Sequence, residues 1–198
     1  MAENPVKSPV GTAHNNAIED EFWVKQFGKG DDSAFDRIVE QHSADIAKLA
    51  NRLLGWPCDV EDVVQDIFLA VFIGLKKFRW QCSLKTWLFT ITINKCRTYR
   101  YKRMLHLRIF SRGSDKAPTC LANRADKMSM ESETFNRIRR AVKALPVKYR
   151  EPVVLRYLQE LSVDTICQIL GISENNLQIR LNRARKLLKE ELAELIEE

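Results

Sequence analysis

The chain has 198 residues, of which 45% are hydrophobic and 29% are charged, and its formal net charge is +6 at pH 7. This length allows one ordinary domain or two small ones, and the apolar content is sufficient for a folded core. The longest strongly apolar run, Ile67–Leu75, is far shorter than the ~20 residues of a membrane span, and the N-terminus lacks the layout of a signal peptide. These features argue against a membrane-inserted or secreted protein, and we expect a cytoplasmic one.

The cysteines and histidines do not form a metal-binding or disulfide pattern. Five cysteines and three histidines are spread along the chain, and no two cysteines form a CxxC pair. This spacing argues against a zinc ribbon or a disulfide framework and indicates a reducing compartment. We therefore predict no metal site.

The basic residues are segregated from the acidic ones. Between Ile67 and Ser114 there are eleven Lys or Arg and no Asp or Glu, and the acid-free segment Asn175–Lys189 carries five more Lys or Arg. Such segregation predicts two separate basic surfaces, which suit a polyanionic partner.

The N-terminal part begins with residues 1–17, whose Pro, Gly and paired Asn residues predict a flexible tail. A short helix is predicted over Ile18–Phe27. A turn follows, after which Asp32 or Ser33 is expected to cap a helix over Ala34–Leu54.

The strongest periodic pattern in the chain lies between Val60 and Lys77. Apolar residues there are separated alternately by three positions and by one, which predicts a helix with one continuous apolar face. Asp59, just before it, is the expected cap. The members of this face are Val60, Val63, Val64, Ile67, Phe68, Val71, Phe72 and Leu75.

The segment Lys85–Arg103 is ambiguous. Its first half alternates large apolar residues with threonines, which favours a strand. A lone short strand would have nothing to pair with in an otherwise helical chain, so we predict a helix, with Ser83 as its cap.

The C-terminal part is also predicted to be helical. Residues 105–132 lose periodicity and indicate a flexible linker. Helices are predicted over Thr134–Leu145 and Lys148–Leu158, and two more follow the caps Ser162 and Ser173. The expected fold class is all-α, with two small helical domains joined by the linker.

The last two helices have the pattern of a helix-turn-helix. Cys167 is small enough for a close helix crossing, Gly171 suits the turn, and Leu177 packs the pair. Amides and arginine on the outer face of the second helix suit the DNA major groove, although a helical hairpin with a solvated face remains the alternative. The outward residues are Asn175, Asn176, Gln178, Ile179, Asn182, Arg183 and Lys186.

Three segments together resemble a known family. They are "DVEDVVQDIFLAVFIGLKKF", "TWLFTITINKCRTYRYKR" and "ALPVKYREPVVLRYLQELSVDTICQILGISENNLQIRLNRARKLL". In this order they resemble the bacterial RNA polymerase sigma factors of the sigma-70 family, in the extracytoplasmic-function (ECF) group. The resemblance implies sigma region 2 over residues 18–104 and sigma region 4 over residues 133–198.

The resemblance also implies partners and sites. Asp62, Gln65 and Asp66 would bind core RNA polymerase, whose largest-subunit coiled coil and flap region are the expected contacts. Asp62 and Asp66 are four residues apart, so both carboxylates share one helix face and suit arginines on a partner.

The second implied site recognises the −10 promoter element as melted, single-stranded DNA, with Trp87 and Asn94 near that strand. Cations along the strand and aromatic surfaces for its bases suit this role, and Tyr99, Tyr101 and Phe89 are candidate stacking surfaces. The predicted cations are Lys95, Arg97, Arg100, Lys102 and Arg103.

The outer face of the last helix would read the double-stranded −35 element. The predicted function is therefore promoter recognition and melting for transcription initiation, and an anti-sigma factor is a further candidate partner. The alternatives are a helix-turn-helix regulator that acts without core polymerase, which leaves the first 100 residues unexplained, and a nuclease, which the residue chemistry disfavours.

Overall fold

A computed structural model describes residues 10–54, 60–110 and 130–193, with side chains over 17–54, 60–106 and 134–193. Every regular element within these ranges is a helix, which confirms the all-α prediction. The elements are α1 (Val10–Gly28), α2 (Ser33–Leu54), α3 (Val60–Leu75), α4 (Leu84–Phe110), α5 (Met130–Ala144), α6 (Val147–Val153, followed by a π-helical turn at Val154–Leu158), α7 (Val163–Leu170) and α8 (Glu174–Glu191).

The ambiguous segment is part of α4. The buried apolar residues of this helix recur at helical spacing and face the core, and they are Leu84, Leu88, Phe89, Ile93 and Cys96. Burial raises the pKa of the Cys96 thiol to about 12, so this thiol stays protonated at neutral pH. The helical prediction for this segment is therefore confirmed.

Threonine hydroxyl groups of α4 donate hydrogen bonds to backbone carbonyls of the same helix. Thr90 donates to the carbonyl of Thr86 at 2.9 Å, and Thr92 donates to the carbonyl of Leu88 at 2.8 Å. The predicted cap also forms, since the Ser83 hydroxyl accepts from the backbone N–H of Thr86 at 3.1 Å. Local hydrogen bonds of this kind, together with the apolar face, outweigh the β propensity of the alternating pattern.

Several helix bounds, and the cap of α2, differ from the predicted ones. α1 begins at Val10 and so includes part of the predicted tail, because extending a helix costs less than starting one. α4 continues to Phe110 and α5 begins at Met130, which shortens the predicted linker from both sides. Asp31 accepts from the backbone N–H of Ser33 at 3.0 Å, so it replaces the predicted caps of α2. The predicted cap Asp59 and residues 111–129 lie outside the described residues.

The first four helices pack around α2. Its buried face contacts α1, α3 and α4. Phe27 of α1 lies in an aromatic group with Phe35 and Phe72, at ring-centroid distances of 5.8 and 5.2 Å. A buried hydrogen bond of 2.8 Å joins His42 Nε2 to Asp20 Oδ1, which fixes α1 against α2.

The C-terminal helices share a core with the N-terminal ones. α7 lies against α4, and α6 packs along α8. The two predicted helical blocks are therefore in direct contact. No described helix is long and apolar enough to cross a membrane. The described residues also include no group of three or more side chains arranged to hold a metal ion.

The helix-turn-helix forms as predicted. Ser162 and Ser173 accept hydrogen bonds from the backbone N–H groups of Thr165 and Asn176 and so cap α7 and α8. Gly171 joins the two helices in the left-handed conformation, with φ of 65°. Leu177, Leu181 and Ala184 are the buried residues of α8, and they lie on its inner face, as their spacing indicated.

Gly171→Ala is expected to lower the free energy of unfolding by about 1–2 kcal/mol, because L residues are disfavoured in this conformation. No atom lies within 4 Å of the position that the new Cβ would take, so backbone strain alone produces the loss. Urea unfolding measures it. Gly28→Ala is the control, since Gly28 has equal space and no positive φ. Equal stability of the two variants would contradict the prediction.

Candidate nucleic-acid and partner interfaces

An acidic ridge, formed by Asp62, Gln65 and Asp66, runs along the outer face of α3. All three side chains are exposed. Neither carboxylate forms an ion pair with any described side chain, so both are available to a partner. The buried residues of α3 lie on the opposite face and hold the ridge in place.

The ridge continues into two exposed apolar residues that the sequence analysis did not identify. Leu69 is 59% exposed and Ile73 is 67% exposed. They follow Asp66 by three and seven residues, which places them on the same side of the helix. An acidic and apolar face of this kind fits a protein partner with basic residues beside an apolar strip. The sequence already indicated this apolar extension, because Leu69 and Ile73 do not belong to the apolar face predicted for this helix.

Trp87 and Asn94 of the predicted −10 site differ in environment. Asn94 is exposed. Trp87 is half-buried, and its ring centroid lies 5.0 Å from that of Phe78. The Trp87 ring also lies close to Gly74, because a Cβ atom added to Gly74 would come within 3.0 Å of the ring. Trp87 therefore helps join α3 to α4, and part of its ring remains accessible.

Two of the predicted DNA-binding arginines, Arg97 and Arg100, are half-buried and form hydrogen bonds within the protein. Arg97 Nε and Nη2 donate to the two carboxylate oxygens of Glu151 at 2.9 and 2.6 Å. The Glu151 side chain is 3% exposed, whereas that of Arg97 is 40% exposed. The hydrogen bonds to Glu151 raise the pKa of Arg97, although burial opposes this.

Arg100 and Arg150 meet at the C-terminal end of α2. Both donate to the carbonyl of Leu53, Arg100 at 2.6 Å and Arg150 at 3.1 Å. Last-turn carbonyls of a helix lack helical partners, and cations near them are stabilising. Burial, followed by the charge of Arg100, lowers the pKa of Arg150 to about 10, so it still carries its charge at neutral pH.

We call Arg97, Arg100, Arg150 and Glu151 the arginine cluster. Its partly buried, charge-assisted hydrogen bonds join α4 to α6 through Arg97 and Glu151, and join both helices to α2 through the carbonyl of Leu53. For their predicted role in DNA binding, Arg97 would have to leave Glu151 of the C-terminal block, and Arg100 would have to leave Leu53 of its own block. Of the other predicted cations, Lys102 is exposed, Lys95 and Arg103 are half-buried, and Arg103 Nη1 lies 3.5 Å from the Tyr99 hydroxyl.

The candidate stacking residues also differ in how accessible their rings are. Phe89 is only 1% exposed and belongs to the core, so its predicted stacking role is wrong. Tyr101 is 61% exposed and Tyr99 is half-buried. Only the two tyrosines keep an accessible ring.

The outer face of α8 is accessible in this conformation. Of the seven predicted −35 contacts, Gln178 is half-buried and the other six are exposed. Arg180 donates to Asn176 Oδ1 and Arg185 to Asn182 Oδ1, both at 2.8 Å, which orients the two amides. A hydrogen bond from Arg183 lowers the pKa of Tyr149 in α6.

Arg97→Ala is expected to destabilise the chain more than Glu151→Gln does. The first change leaves a buried carboxylate without its partner, at a cost of about 3–5 kcal/mol. The second leaves a guanidinium that water can reach, so we expect a loss of about 2 kcal/mol. Urea unfolding of the full chain measures both.

The matched control is Glu40→Gln, because Glu40 and Arg37 form an exposed pair at 3.1 Å. Its loss should stay below about 0.5 kcal/mol. A Glu151→Gln loss no larger than that of the control would show that the arginine cluster does not stabilise the fold.

Comparison with known families covers both helical blocks. The model of Sigma-70 region 2 matches residues 38–104, and that of Sigma-70 region 4 matches residues 135–188. These matches contain the acidic ridge, the predicted −10 residues and the outer face of α8.

Whole proteins match over most of the chain. The ECF RNA polymerase sigma factor SigW of Bacillus subtilis (strain 168) is 31% identical over 179 residues, which is 87% of this chain and 96% of the relative. The structure of CnrH in complex with the cytosolic domain of CnrY is similar with a TM-score of 0.63 and 28% identity, covering 88% of this chain and 97% of that one. The fold is shared with the sigma factor RpoE in complex with the anti-sigma factor NepR from Bartonella quintana, at a TM-score of 0.63 and 21% identity, over 80% and 96% of the two chains. The present chain belongs to the sigma-70 family, as an ECF RNA polymerase sigma factor.

Proposed function

We propose that this sigma factor binds core RNA polymerase through the acidic ridge and places its two helical blocks on the −10 and −35 promoter elements. Residues 18–104 act as region 2 and residues 133–198 as region 4. The observation that carries the proposal is the outer face of α3, where exposed carboxylates lie beside exposed Leu69 and Ile73. A solvated helix face needs no such apolar residues, whereas a partner interface uses them.

The two DNA-contacting surfaces become available at different stages. The outer face of α8 is exposed in this conformation, so it is able to meet duplex DNA at once. Arg97 and Arg100 first have to leave Glu151 and Leu53. Binding to polymerase, which engages both blocks, supplies the free energy that separates Arg97 from Glu151. The alternative function, a regulator acting without polymerase, leaves the acidic ridge without a role.

The chain itself catalyses no reaction in this proposal. Its work is binding: region 4 orients the duplex, and region 2 stabilises the melted strand. Nucleotidyl transfer and its metal ions belong to the core enzyme. The protein acts in the cytoplasm, where bacterial RNA polymerase meets promoter DNA.

A protein regulator is part of the proposal. One structural neighbour was solved with the cytosolic domain of CnrY and another with the anti-sigma factor NepR. An anti-sigma factor that favours contact between the two blocks would keep Arg97 and Arg100 covered.

The double reversal Asp62→Lys with Asp66→Lys is expected to weaken binding to purified core RNA polymerase at least tenfold, because charge-assisted hydrogen bonds each contribute about 1.5–3 kcal/mol. Fluorescence anisotropy of the labelled protein measures affinity, and run-off transcription from a genomic promoter library measures function. Asp36→Lys is the control, since Asp36 is an exposed carboxylate on α2. Unchanged core affinity of the double variant would remove the acidic ridge from the proposal.

Arg183→Ala is expected to weaken binding to duplex DNA and to reduce the slope of log K against log salt by about one, because one phosphate contact is lost. Titration of the holoenzyme with a −35 duplex at several salt concentrations measures both. Arg37→Ala, which removes an exposed arginine of α2, serves as the control. An unaltered salt slope would show that Arg183 does not contact a phosphate.

A further inference from the structure

The arginine that orients Asn182 is itself held by a residue outside the helix-turn-helix. Arg185 Nη1 donates to Asn182 Oδ1 at 2.8 Å. Arg185 Nε and Nη2 both donate to the hydroxyl oxygen of Tyr157, at 3.0 and 2.8 Å. The guanidinium also lies 6.0 Å from the centre of the Tyr157 ring, which is the distance of a cation–π contact. We call Tyr157 and Arg185 the amide brace.

The amide brace engages every nitrogen of the guanidinium. One nitrogen donates to Asn182 and the other two donate to Tyr157. Burial does not force these contacts, because Arg185 and Asn182 are exposed and Tyr157 is 47% exposed. The planar, rigid fork of an arginine can hold two partners at fixed angles, which a lysine cannot do. Arg185 is therefore suited to fixing the amide of Asn182 rather than to meeting a phosphate itself.

The backbone that carries Tyr157 departs from regular helical geometry. Tyr157 lies in the π-helical turn Val154–Leu158, which closes where the N–H of Gln159 donates to the carbonyl of Val154 at 3.0 Å. Glu160 follows with a φ of 54°, in the left-handed region. Such π-helical turns are rare and are frequent at functional sites, where they change the direction of a side chain. Here the turn places the Tyr157 hydroxyl against α8.

The hydrogen bond from Arg185 decides which half of the Asn182 amide is left for DNA. An asparagine has one oxygen acceptor and one NH₂ group with two donors. Bidentate recognition of adenine uses both, since the oxygen accepts from the N6 amino group. In this structure a cation already donates to that oxygen, and a charge-assisted hydrogen bond of this kind is stronger than a neutral one. The NH₂ group of Asn182 remains as the donor for a base edge.

A pair of donors selects among the four bases. In the major groove guanine presents two acceptors, N7 and O6, whereas adenine and thymine each present one and cytosine presents a donor. The two N–H bonds of a braced asparagine therefore match guanine best. An unbraced asparagine would match adenine, so the amide brace changes the base that the same side chain prefers.

We propose that Tyr157 and Arg185 are positioning residues for promoter specificity, which hold Asn182 as a hydrogen-bond donor and so direct it to guanine. The inference rests on the proposed function, in which the outer face of α8 reads the −35 duplex. It deepens that function by assigning the base class that Asn182 recognises and the residues that set it. Tyr157 and Arg185 need not touch the base.

The test measures base preference with the holoenzyme, assembled from core RNA polymerase and the full chain. A pool of duplexes with a randomised −35 element is bound, and the bound fraction is sequenced. Asn182→Ala first identifies the position that Asn182 reads, as the one where base preference is lost. At that position the parent chain should favour G·C over A·T, in either orientation, by at least about fivefold.

Two variants then remove the amide brace without removing charge from α8. Arg185→Lys keeps the cation and loses the planar fork, so the preference for G·C at the Asn182 position should fall below about twofold. Tyr157→Phe keeps the ring and loses the acceptor hydroxyl, so the preference should fall at least about twofold. Neither change should alter base preference further in an Asn182→Ala background, because both act through Asn182.

Arg156→Lys is the matched control. Arg156 is an exposed neighbour of Tyr157, and its Nη1 donates to the carbonyl of Leu161 at 2.8 Å and not to α8. The same conservative substitution there should leave the preference at the Asn182 position unchanged. An equal loss in Arg156→Lys and Arg185→Lys would show a general disturbance of the π-helical turn and would overturn the amide brace.

The remaining outcomes separate this inference from the proposed function. If Asn182→Ala removes a base preference that Arg185→Lys and Tyr157→Phe retain, only the amide brace is overturned. A parent preference for A·T at that position also overturns it, since Oδ1 then accepts from adenine. If the holoenzyme shows no −35 preference, or Asn182→Ala changes none, the assignment of α8 to the −35 element falls, and the brace falls with it.

Discussion

A buried carboxylate, Glu151, forms the ion pair that joins the two helical blocks. Glu151 lies within α6, where water cannot reach it, and both of its oxygens accept from Arg97 of α4. An unpaired buried carboxylate is strongly unfavourable, so the fold of α6 is stable only with a cation in this place. The same two blocks also meet where α7 packs directly on α4, and α6 packs along α8.

The local features of the fold were predictable because they depend on neighbours in the sequence. Ser162 and Ser173 cap helices, and Gly171 forms the turn between them, through contacts within a few residues. The period of the apolar residues predicted α3, whereas α4 was predicted to be helical because a lone strand would have had no partner in an otherwise helical chain. Assignment to the sigma-70 family followed from the order of three such segments.

The functional surfaces were less predictable because they depend on distant residues. Arg97 and Arg100 were assigned to a solvent-exposed strand contact, but their partners lie 54 and 47 positions away in the chain. Phe89 fits a stacking role by composition, and only the packing shows that it is in the core. No periodic pattern in the sequence includes Trp80, and its exposure and positive φ are apparent only in the structure.

The carbonyl of Leu53 is shared by one arginine from each block, and this has a thermodynamic consequence. A guanidinium that donates its hydrogen bonds to a DNA phosphate no longer donates them to Leu53 or Glu151. In the proposed function, contact with the DNA strand and contact between the blocks compete for Arg97, so strand binding and separation of the blocks favour each other. In that proposal a strand that occupies Arg97 keeps the blocks apart for as long as it stays bound, and high ionic strength weakens the strand contact.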